Sequence, residues 1–160
     1  MRQVRHMLRR FASDREGSVL VETLIAVPVV TVLTVGVLEF GNIFWQRQLV
    51  QTGVRDAARY WSRCRPTTVE FAATCSVDIA RNIAFYGNPA GTGALRLPNW
   101  NSTDDLQIVP AQDAFPSPPQ PDDIVTVTGQ LTHVSSPMFG LLGIDPITFT
   151  YTHSERYIGW

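Results

Sequence analysis

The residues whose type and spacing suggest chemistry sit near the start of the 160-residue chain, in Arg15-Glu16-Gly17-Ser18-Val19-Leu20-Val21-Glu22. A basic leader ends in a glycine, an apolar run begins at once, and the fifth residue after the glycine is an acid. Cutting the Gly17–Ser18 bond would give Ser18 a new α-amino group. That cation and the Glu22 carboxylate would suit each other, locally on the first helical turn or between stacked neighbours. An acid in the first turn also complements the helix dipole. A second reading of Glu22 stays open beside this one: it lies close enough to the edge of the apolar run to reach lipid headgroups, with Glu39 marking the other edge roughly 25 Å away at 1.5 Å per residue.

Other chemistry-bearing residues are sparse. Cys64 and Cys75 have two readings, a short disulfide of about 2–3 kcal/mol in an oxidising compartment or two buried thiols. The absence of a CxxC and of a nearby His pair argues against a metal or redox site. His6, His133 and His153 show no ligand spacing. Asp104-Asp105 and Asp122-Asp123 lie in turn-like contexts and lack the EF-hand pattern. No phosphate-cradling Gly loop and no nucleophile elbow occurs. The expectation is therefore a protein that is not an enzyme, with no cofactor, no small-molecule substrate and no nucleic acid partner.

Composition agrees with a membrane setting. Hydrophobic residues make up 44% and charged residues 17%, which excludes wholesale disorder and a highly charged nucleic-acid binder. All 13 basic residues are Arg, and the formal net charge is -1. The charge is lopsided: residues 1–17 hold five Arg against Asp14 and Glu16, whereas the remaining eight Arg face twelve acids. From Val19 to Leu38, 14 of 20 residues are apolar, long enough for a bilayer core of roughly 30 Å. The run continues through Phe40, Ile43, Phe44 and Trp45, and Trp45 stands where an aromatic-belt residue would lie. The length of the run, with no small-x-small site at its end, argues for a retained span over a cleaved secretory signal. Arg9, Arg10 and Arg15 lie closer to the span than Arg47 and Arg55, which favours a cytoplasmic N-terminus.

Beyond the span, Val50, Val54, Ala57, Ala58 and Trp61 follow i, i+4, i+7, i+8, i+11, one face of a helix. A single helix over residues 18–63 is predicted, kinked by Pro28. Thr67 and Glu70 read as the capping box of a second helix ending near Gly87, with Ala72, Ile79, Ala80 and Ile83 as its apolar face. Residues 88–121 read as loops holding a short strand at Gln107–Val109, with a polyproline-like stretch over Pro116–Pro121. Alternation marks strands at Ile124–Thr128 and Ile147–Thr152. The apolar, Gly-rich segment Pro137–Ile144 between them reads as a loop under its own sheet, or as a surface against a membrane or a neighbour.

The expected fold class is α+β: a long N-terminal transmembrane and amphipathic helix, a second short helix, and a small antiparallel sheet of two to three strands. The expected organisation is a basic cytoplasmic leader (1–17), a transmembrane helix (18–45), its amphipathic continuation (46–64) and an exported domain (65–160).

Gly17-x-x-x-Val21-Glu22, the apolar run with Pro28, Gly36-x-x-Glu39-x-Gly41 and Asp56-Ala57-Ala58-Arg59 together resemble the TadE-like family, pseudopilins or minor pilins of the tight-adherence (Tad/Flp) pilus. The resemblance covers roughly residues 15–60. It implies cleavage between Gly17 and Ser18 by a prepilin peptidase, and a role for Glu22 in subunit register. It also implies partners among other pilins or pseudopilins, the inner-membrane assembly platform and membrane lipid. Ser18 departs from the Phe or Met common after the cut in type IV pilins. The alternative is a signal-anchored exported binding or adhesin domain that keeps residues 1–17.

Overall fold

The computed structural model describes residues 15–64, 75–111, 114, 120, 122–134, 139–140 and 143–158. The chain divides into two compact units, Met1–Gly41 and Asn42–Trp160.

The first unit is helical throughout its described part. It belongs to α1, a 47-residue helix over Arg15–Trp61 that contains Pro28 without ending there. Val19, Leu20, Leu24, Ile25, Val29 and Val30 are all exposed. The threonines do not oppose this apolar surface, because Thr23, Thr31 and Thr34 each donate their hydroxyl to the carbonyl four residues back, at 2.7–2.8 Å. Such back-bonding removes the desolvation cost that a free hydroxyl would carry in an apolar medium.

The second unit is an α+β head built against the last turns of α1. Val50, Val54, Ala57, Ala58 and Trp61 are fully buried, the face that the spacing predicts. They pack with Ala80, Ala84 and Phe85 of α2 (Val77–Tyr86) and with Leu106, Val125, Val127 and Leu131 of the sheet. Ser76 caps α2, its hydroxyl accepting from the Asp78 N–H at 3.1 Å. Gly87 closes it in the left-handed region (φ 77°), as its position after Tyr86 leads one to expect. The expected capping box Thr67–Glu70 and Ala72 lie outside the described residues. The apolar face of α2 also differs from expectation. Ile79 and Ile83 are half-buried, and the fully buried positions are Ala80, Ala84 and Phe85.

The reason is how closely α1 and α2 approach. A Cβ on Gly53 would fall 2.5 Å from the Ala84 carbonyl oxygen and 2.7 Å from the Trp100 ring. Only small residues fit at that crossing. Trp100 fills the centre, edge-on to Phe85 at 5.0 Å.

Three strands form an antiparallel sheet in the order β1-β2-β3: β1 (Leu106–Val109), β2 (Ile124–His133) and β3 (Ile147–Arg156). Both long strands run past the predicted ends at Thr128 and Thr152. Along β2, Val125, Val127, Gly129, Leu131 and His133 are buried, and the residues between them face outward. On the outer face Thr126 pairs with Ser154, Thr128 with Thr152 and Thr132 with Thr148, hydroxyl to hydroxyl at 2.9–3.0 Å. The two members of each pair stand directly opposite in the strand register, so they support it from the solvent side. The polyproline-like stretch lies outside the described residues, except Gln120.

Candidate functional site

The expected processing site lies within α1. Gly17, Ser18 and Glu22 are all helical and solvent-facing. Ser18 and Glu22 are four residues apart on one helix, and so share a face. Glu22 makes no hydrogen bond or ion pair with any described residue. It projects among exposed Val19, Val21 and Ile25. An ionised carboxylate in that company is costly in lipid, on the order of 2.5–3.5 kcal/mol at a bilayer centre, unless a cation meets it. A Cβ on Gly17 would meet nothing within 4 Å, so that position accepts a side chain without strain in this chain. Gly36 and Gly41 are equally open.

The apolar helix Gly17–Trp61 is long and apolar enough to cross a bilayer, and none of its most apolar stretch is buried. Its length and composition suit a membrane anchor. The sequence model of the TadE-like protein family matches residues 17–59. Over those residues the chain is similar to that family. No curated protein and no solved structure matches the chain.

The TadE-like segment lies wholly inside α1, and its first residue is Gly17, the residue that would precede the cut. Its last turns carry a different task from its first. In Asp56-Ala57-Ala58-Arg59 the two alanines are fully buried in the head, and Arg59 is exposed. Asp56 accepts from Arg96 Nη2 at 2.6 Å. This end of the TadE-like segment therefore holds the head through packing and one charge-assisted contact.

Further contacts tie the end of α1 to the head. Trp61 Nε1 donates to the Pro110 carbonyl at 2.9 Å, and the Tyr157 hydroxyl to the Cys64 carbonyl at 2.7 Å. The Ile158 N–H donates to the Ser62 carbonyl at 2.9 Å. Burial first, and the Asp123 carboxylate second, push the Tyr157 hydroxyl above the usual phenol range. Cys64 and Cys75 are joined as a disulfide, their Cα atoms 5.6 Å apart. Sequence reasoning missed the Asp56–Arg96 and Tyr157–Cys64 contacts, since their partners are 40 and 93 residues apart. The only local hint was Asp56 beside two alanines.

Among the described residues no three His, Cys, Asp or Glu side chains gather as a metal site would. Asp105 is occupied in a capping box with Ser102 on the 3-10 turn Thr103–Asp105. The Asp123 carboxylate accepts from the Gln120 N–H. His153 lies 3.3 Å from Glu155, whose other oxygen accepts from Ser62 Oγ at 3.3 Å. Ser62 Oγ lies closer to the Arg59 carbonyl, at 3.0 Å, than to that carboxylate.

Proposed function

We propose that the chain is a TadE-like pseudopilin with no catalytic activity of its own. It is made as a precursor with a cytoplasmic leader and anchored in the bacterial inner membrane with its head exported. A prepilin peptidase cuts it between Gly17 and Ser18, and it then serves in assembly of an adhesive or secretory Tad/Flp pilus. Its partners are that peptidase, other pilins or pseudopilins, the assembly platform and lipid. The observation that carries this reading is the family match beginning at Gly17 and covering the apolar helix behind it. After cleavage the α-amine of Ser18 and the carboxylate of Glu22 stand one helical turn apart, and neutralise each other on the helix or across neighbours.

One observation favours the uncut, signal-anchored alternative: the Gly17–Ser18 bond lies within α1, and a peptidase must unwind that end to reach it. The intact mass of membrane-extracted protein, with and without an active prepilin peptidase in the cells, separates the two. A pseudopilin starts at Ser18 when the peptidase is active and keeps its leader when it is not. A chain that keeps its leader in both cases is a signal-anchored module.

A further inference from the structure

Exposed aliphatic side chains of the second unit gather at the two ends of its sheet. Val109, Ile124 and Ile158 are at one end, and Val134, Ile144 and Ile147 at the other. Contacts with α1 place both ends along the helix. Near the first end, the Ile158 N–H donates to the Ser62 carbonyl at 2.9 Å, and Ile124 pairs with Arg156. At the second end, His133 pairs with Ile147, and its Nδ1 donates to Gln46 Oε1 at 3.0 Å. The β2–β3 connection therefore returns to the level of Gln46. Immediately before Gln46 come Phe44 and Trp45, 60% and 58% exposed, where the apolar run ends.

Ile144 is held in place at this end. Its N–H donates to the Phe139 carbonyl at 3.0 Å, and the Gly143 N–H to the Gly140 carbonyl at 3.1 Å. Gly143 takes a φ of 71°, which closes the turn. Phe139 is buried and Ile144 is not, so the described part of this segment is covered at one residue and open at another.

We propose that Val134, Ile144 and Ile147 seat this end of the head in the headgroup–acyl boundary of the bilayer that the anchor enters. The proposal rests on reading α1 as a membrane anchor. Lipid is the occupant because this end of the head meets Gln46, directly after the exposed aromatics Phe44 and Trp45 that close the apolar run. The same contact that sets the height of His133 sets it beside the residue following Trp45, an aromatic of the kind that settles at the interface. Three aliphatic side chains over a compact turn suit a shallow insertion of about 5–10 Å. The neighbouring charges, Arg47 and Asp145, are both exposed and stay in the headgroup layer. The opposite end is held near Ser62, 16 residues on, about 24 Å along the helix at 1.5 Å per residue. Val109, Ile124 and Ile158 therefore stand clear of the lipid.

The test uses the full chain with its disulfide intact. Single cysteines replace Val134, Ile144, Ile124 or Leu33, each carrying an environment-sensitive fluorophore, in phosphatidylethanolamine–phosphatidylglycerol vesicles. The four sites are exposed, so the core is untouched. The expected result is that lipids spin-labelled near the headgroup quench the labels at 134 and 144 about two-fold more than the label at 124. Lipids labelled deep in the chain quench the label at 33. If 33 is quenched while 134 and 144 behave like 124, the seating is wrong and the anchor stands. If 134 and 144 become shielded only as protein crowds the vesicle, without lipid quenching, a second copy covers them and the seating is again wrong. If 33 is not quenched, the anchor reading fails and the seating goes with it.

Discussion

Single residues of this chain divide into those that matter before folding contacts and those that matter through them. Gly17 and Glu22 belong to the first group, since a Cβ on Gly17 would meet nothing within 4 Å and Glu22 makes no hydrogen bond or ion pair with a described residue. Replacing Gly17 by Leu is expected to leave the precursor folded and to stop its shortening, read as precursor size on a gel. Replacing Glu22 by Ala is expected to leave shortening intact and to remove pilus output. Normal pili from that variant would show that the acid serves only to reach headgroups. Tyr157 belongs to the second group. Its folded-state ionisation is pushed upward, so its contribution to stability is complete below about pH 10 and is lost as pH rises through the raised value. Removing its hydroxyl in Tyr157→Phe is expected to cost about 1 kcal/mol near neutral pH, by loss of the bond to the Cys64 carbonyl. Above pH 10 the gap between the two proteins should narrow, because only the wild type has this phenol to ionise. A gap of unchanged size in denaturant titrations at pH 7 and pH 11 would contradict that account.

At the scale of elements, what was legible in the sequence and what was not have physical reasons. The buried face Val50–Val54–Ala57–Ala58–Trp61 was legible because a helix burying one side repeats every 3.6 residues. The cores of β2 and β3 were legible because Thr alternates with Val in β2 and with Ile, Phe and Tyr in β3. The end of β2 was not, because Gly129 reads as a strand breaker. In the fold it is the residue that lets β2 approach α1: a Cβ there would fall 2.5 Å from Val54 Cγ2. The end of β3 was hidden because His153, Ser154, Glu155 and Arg156 look like surface loop. Half-buried Tyr151, His153 and Glu155 nevertheless keep the alternation. The long apolar helix was legible because it is written in consecutive residues. The head's grip on the TadE-like segment was not, because Trp100, Ala84 and Arg96 reach it only after folding. Gly53 and Gly129 give the corresponding prediction. Gly53→Val and Gly129→Val each force neighbours apart and should cost about 1–3 kcal/mol or more in chemical unfolding. Unaltered midpoints would show that α1 does not approach α2 and β2 this closely.

For the molecule as a whole, the division after Gly41 makes the head's stability a property of residues 42–160. Its core draws on the last turns of α1, on α2 and on all three strands, and takes nothing from the apolar residues before Gly41. The head produced from Asn42 onward should therefore fold alone and unfold in one cooperative transition, followed by the fluorescence of buried Trp61 and Trp100. A fragment beginning at Cys64 should not fold, since it lacks Val50, Val54, Ala57, Ala58 and Trp61. The disulfide between Cys64 and Cys75 closes a loop of 11 residues in sequence separation, and reducing it should lower the head's stability by about 2–3 kcal/mol. The loss should be the same in the membrane-anchored chain, because the bond ties the end of α1 to the start of α2 and reaches nothing before residue 42. A larger loss in the anchored chain would mean that the two units stabilise one another, and that the head is not the independent body its core describes.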